Sequence, residues 1–62
     1  MKTITRDELV ALGGDFDAQW AVLDAKGELY FCTKSYQAAR TEAHWEGKHM
    51  TLCGVINQRE EL

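Results

Sequence analysis

Apolar and polar positions change rhythm along the chain, and each rhythm predicts an element. Near the start, Thr5 and Glu8 stand three apart as a Thr-x-x-Glu capping box, with Ile4 and Leu9 placed as a hydrophobic staple. Asp7 and Glu8 in the first turn suit the helix dipole. Leu9, Val10 and Leu12 supply apolar contacts, and Gly13-Gly14 ends the helix after about two turns. A helix this short is stable only when docked, here through Ile4, Leu9 and Leu12. Asp15-Phe16-Asp17 reads as a loop with one anchoring aromatic.

The rhythm then becomes alternating. Across Gln19–Asp24, Trp20 and Val22 share one face, and Ala21 and Leu23 share the other. Asp24-Ala25-Lys26-Gly27 reads as a turn, with Gly27 in a left-handed position and a bulge expected beside it. Glu28–Cys32 is the return strand, with Leu29 and Phe31 expected on one side and Glu28, Tyr30 and Cys32 on the other. Thr33 or Ser35 caps the next helix, which runs without a breaker from Tyr36 to Glu46 with Tyr36, Ala39 and Ala43 on one side. Trp45 falls nearly opposite that side: the helix ends before it, the indole packs from a flank, or it faces a partner. Gly47 is the expected stop. Met50–Asn57 reads as a strand, with Met50, Leu52 and Ile56 on one face and Thr51, Cys53 and Val55 on the other. Gly54 marks a bulge or a close backbone approach.

These elements predict a single α+β domain over residues 1–62, with residues 58–62 as a flexible tail. The order is αββαβ: a short helix, a β-hairpin, a helix and a third strand, forming a small three-stranded sheet with its helices on one face. That arrangement leaves Tyr30, Cys32, Cys53 and Val55 on the opposite face, which is less polar than a solvated sheet face should be. Three arrangements account for the surplus: a shifted register, the N-terminal helix laid over that face, or a surface that binds protein.

Composition narrows the classes. No apolar run approaches the length that spans a bilayer, and the first seven residues lack a secretory apolar segment, so a cytosolic location is expected. Cys32 and Cys53 are too few for a disulfide scaffold. The formal charge of -3 gives no general attraction to nucleic acid. The charge is uneven, however. Residues 1–28 carry six acids and three bases, whereas residues 29–58 carry Glu42 and Glu46 against Lys34, Arg40 and Lys48.

Candidate chemistry is sparse. His44, His49, Cys53 and Cys32 are zinc-type ligands, but without the close Cys-x-x-Cys pair of a finger. The same residues could form a Cys–His nucleophilic pair, yet no oxyanion site or nucleophile elbow accompanies them. Asp15-x-Asp17 is too short for a calcium loop, and no Lys-Ser/Thr follows Gly13-Gly14 as in a phosphate loop. The expectation is therefore no enzyme, no catalytic residue, no metal and no cofactor.

What remains is recognition. Tyr30, Tyr36 and Trp45 are the aromatic anchors expected at a protein interface, with Lys34, Arg40 and Lys48 as steering charges. Asp15, Asp17, Asp24 and Glu28 offer an acidic face for a basic partner. In size and element order the chain resembles very small regulators and inhibitors made by bacteria and their phages, a likeness that carries no residues across. The leading expectation is a cytoplasmic protein-binding module that regulates or inhibits a larger bacterial or phage-targeted host protein, with a homodimer open. The alternative is a homodimeric nucleic-acid-associated regulator, with Tyr36 and Trp45 stacking on bases among Lys34, Arg40, Lys48, His44 and His49.

Overall fold

The computed structural model describes residues 2–44 and 49–57. Its elements run β1 (Lys2–Thr5), α1 (Arg6–Ala11), β2 (Trp20–Leu23), β3 (Leu29–Thr33), α2 (Tyr36–His44) and β4 (Thr51–Ile56). The four strands form one mixed sheet in the order β1-β4-β2-β3. β4 runs parallel to β1 and antiparallel to β2, and β2 runs antiparallel to β3.

The three-stranded αββαβ expectation is corrected by β1. Lys2-Thr3-Ile4-Thr5 carries one apolar side chain, too little for a strand signal. It becomes a strand because β4 offers a free parallel edge on which Ile4 lies beside Val55. Ile4 is then buried. Thr5 ends this strand and also caps α1: its hydroxyl accepts the Glu8 N–H at 3.1 Å, and the Glu8 carboxylate accepts the Thr5 N–H at 2.8 Å. At the far end, Gly13 has φ +88°. The Gly13 N–H donates to Val10 O and the Gly14 N–H to Leu9 O, both at 2.9 Å, closing the helix in a Schellman motif.

The helices lie on opposite faces, not on one. Leu9 of α1 is buried with Ile4, Ala18, Ala21, Leu23 and Cys53, and Leu29, Cys32 and Val55 pack around this group. α2 covers the other face, where Ala39 and Val22 are both fully buried. Cys32, Cys53 and Val55 of the apolar surplus read from the sequence are therefore the floor beneath α1 and not an open interface, whereas Tyr30 stays exposed. Val10 and Leu12 stay on the outside of α1, so Leu9 and Ile4 carry the docking.

A bulge corrects the faces of the return strand. Val22 pairs with Phe31 but Leu23 pairs with Leu29, leaving Tyr30 without an opposite residue. Leu29 consequently joins Cys32 on the α1 side, while Phe31 lies beside Val22 on the α2 side. The turn before it is built by Asp24, whose carboxylate accepts the N–H groups of Lys26 and Glu28, both at 2.9 Å. Gly27 takes φ +83°, as the turn requires.

Arg6 ties three segments together. Its guanidinium donates to the carbonyls of Phe16 and Ala18, the latter at 2.9 Å, and to Asn57 Oδ1 at 3.1 Å. It also lies over the Phe16 ring, 5.5 Å from the centroid. The first turn of α1 thus holds the loop before β2 and the residue after β4.

Two substitutions test this packing. A Cβ on Gly14 would stand 2.5 Å from Leu9 Cδ1 and 2.8 Å from Leu9 Cγ, so Gly14→Ala should cost about 1–3 kcal/mol through forced repacking, read as a lower urea midpoint. Arg6→Met keeps an apolar stem but loses the charged donors and should cost about 2 kcal/mol. Loss of amide protection at Ala18 in hydrogen exchange should accompany it.

Candidate functional site

The expected anchors separate into two groups. One forms where β3 hands over to α2. Thr33 Oγ1 accepts the Ser35 N–H at 3.1 Å, and Ser35 Oγ accepts the Ala38 N–H at 3.2 Å. Ser35, not Thr33, is therefore the helix cap, and Tyr36 enters the first turn in a set orientation. Its ring meets Trp20 edge to face, with centroids 4.8 Å apart and planes at 60°. Tyr36 remains 41 % exposed despite that contact. Arg40 follows one turn later on the same side of α2, and Lys34 lies exposed in the preceding link. A shallow groove beside Arg40 is lined by Gln37, Thr41, Ala43 and His44.

Tyr30 belongs to a second group. The bulge pushes it out to 43 % exposure, where it lines a depression with Asp24, Lys26, Glu28, His49 and Met50. Four residues of extended chain, about 13 Å at the usual strand rise, separate it from Lys34. Tyr30 and Tyr36 therefore do not form one patch. Trp45, the third expected anchor, and Lys48, the third expected steering charge, lie outside the described residues, as does the tail at 58–62. Within the described part of α2, sequence patterning found Tyr36 and Arg40 but missed the support from Trp20. Its signal was the shared face of Trp20 and Val22, which α2 covers.

The acidic face is divided as well. The Asp15 carboxylate accepts the Asp17 N–H at 3.0 Å in the loop before β2, and Asp24 is engaged in the turn after it. The length of β2 lies between them.

The cysteines are held apart from His44 by the sheet. Cys53 lies on the α1 side, whereas His44 is carried by α2 on the other. Among the described residues, no group of three or more His, Cys, Asp or Glu side chains could hold a metal ion. Cys32 and Cys53 both pair with Ala21, from its two sides. Two strand spacings, about 9.6 Å, separate them, beyond the roughly 7 Å that a disulfide can span. The Cys32 sulfur accepts the Asp15 N–H at 3.5 Å. Burial pushes the Cys53 thiol up from its ordinary pKa, and nearby Lys2 offsets part of the rise.

No helix among the described residues is long and apolar enough to cross a membrane. The thiol geometry gives a direct test. In the folded chain a thiol-reactive disulfide reagent should label half-buried Cys32 quickly and Cys53 only at the rate of opening. Because the unfolded chain ionises Cys53 more readily than the folded one, stability should fall as pH rises above the ordinary thiol range. Replacing Cys53 by Ala should flatten that alkaline decline; an unchanged pH profile would reject burial as its source. Comparison of the chain with known proteins finds no matching protein-family model, no matching curated protein and no matching solved structure.

Proposed function

We propose that this chain is a small protein-binding module that regulates or inhibits a larger protein, with the Tyr36–Arg40 side of α2 as its recognition surface. One observation carries the reading: Tyr36 is exposed yet held edge to face on Trp20. An aromatic ring that is already oriented loses little freedom on binding and can fill a partner's pocket. Arg40 and Lys34 beside it supply charge that favours an acidic partner surface. This basis replaces the apolar sheet face, which α1 covers.

The test is capture from a bacterial lysate on the immobilised chain, followed by measurement of the purified partner's affinity. Tyr36→Ala should weaken binding at least tenfold, the usual loss at an interface hot spot, and Arg40→Glu should slow association. Tyr36→Phe should retain both the fold and most of the affinity, which separates ring contact from loss of stability. Equal binding by Tyr36→Ala and the parent chain would reject the anchor. Salt-sensitive retention on DNA resin by the parent chain, lost in Arg40→Glu, would point instead to the nucleic-acid class.

A further inference from the structure

Phe16 is the most exposed large apolar side chain among the described residues, at 61 %. The ring does not anchor its loop, as the sequence suggests it should; the main chain does. The Ala18 N–H donates to Asp15 O at 3.1 Å, closing a turn with Phe16 and Asp17 at its two central positions. The Asp15 carboxylate accepts the Asp17 N–H within the same turn. From α1, the Arg6 guanidinium donates to the Phe16 and Ala18 carbonyls and stands over the Phe16 ring. The backbone that carries the ring is thus held from both sides while the ring itself faces water. A ring placed in this way loses little freedom when a partner covers it.

The helix adds to the same surface. Val10 follows Arg6 by four residues and so lies on the side of α1 that Arg6 turns to the Phe16 turn. It is 46 % exposed. Apolar surface on this side therefore comes from the helix and the turn together.

Charge then selects the occupant. From Arg6 to Asp17 the chain has four acids, Asp7, Glu8, Asp15 and Asp17, and one base, Arg6. Arg6 is committed to two main-chain carbonyls and to Asn57. Asp7 and Asp17 are exposed, and no cation among the described residues pairs with either. Such a surface repels phosphate-bearing polymers and anionic lipid and draws a basic chain. We infer that the Phe16 turn and the Val10 side of α1 dock a basic amphipathic segment of another protein. Its apolar side chains cover Phe16 and Val10, and its Lys or Arg side chains meet Asp7 and Asp17. Because α1 and α2 cover opposite faces of the sheet, this site and the Tyr36 surface can be occupied together. The inference goes beyond the recognition reading and does not depend on it.

The probe is an amphipathic helical peptide of leucine and lysine, titrated into the isotopically labelled full chain. It should move the amide signals of Asp7, Val10, Phe16 and Asp17, leave those of Tyr36 and Arg40 in place, and bind less as salt rises. The matching leucine–glutamate peptide should not bind, and a lysine-only peptide should bind about tenfold more weakly, having no apolar contact. Phe16→Ala keeps the carbonyls that Arg6 uses and should weaken binding about tenfold, with circular dichroism confirming the fold. Asp17→Lys, at an exposed position, should weaken binding and flatten its salt dependence. Signals that move on the Tyr36 side instead, or equal binding by Phe16→Ala and the parent chain, overturn the inference. So does a doubled mass in sedimentation that Phe16→Ala abolishes, since the surface is then covered by a second copy. Tyr36→Ala should leave peptide binding unchanged, so failure here and failure of the recognition surface are read independently.

Discussion

Thr5 belongs to two elements at once, and the position of nearly everything else depends on that. Its extended backbone, φ -78° and ψ 157°, completes β1 while its hydroxyl caps α1. With no loop between them, the strand and helix must fold back sharply. Ile4 in the sheet and Leu9 on the helix then reach the same buried group. The reciprocal bonds between Thr5 and Glu8 hold that angle. Arg6, the next residue, is carried to the point where the loop before β2 and the end of β4 both come within its reach.

Placing α1 over one face obliges α2 to cover the other. β4 and β2 are interior strands, so each needs apolar cover on both sides. Ala21, Leu23 and Cys53 meet α1's side, and Val22 meets α2's. Small residues make this possible in a chain of this length: Ala39 is fully buried against the sheet and Ala21 sits between Cys32 and Cys53. The cover leaves two kinds of surface. One is the oriented aromatic of Tyr36 on its Trp20 support. The other is the exposed ring of Phe16, held beside α1 between Asp15 and Asp17.

Local signals in the sequence account for much of this. The capping box, the Gly13 stop and the Asp24–Gly27 turn were legible because each acts over a few residues. The alternation of β2 and β4 was equally plain. β1 was not, because Lys2-Thr3-Ile4-Thr5 contains a single core side chain and becomes a strand only by pairing with residues some fifty positions away. Tyr30 and Leu29 were misassigned to faces for a related reason. A turn with Gly27 announces a bulge, yet which residue is extruded depends on the register that β2 imposes.

Residue chemistry alone determined that a small α+β domain would form, where its helices begin, and which aromatics and charges were free to recognise a partner. Tertiary structure decided which of them stand together. It buried the apolar sheet face beneath α1, grouped Tyr36 with Arg40, and moved Tyr30 to the far end of β3. It also set Cys32 and Cys53 on either side of Ala21 and away from His44. The physical reason is that propensity and capping are settled within a turn or two of chain. Strand order and the face on which a helix lands are settled by which distant surfaces exclude water together.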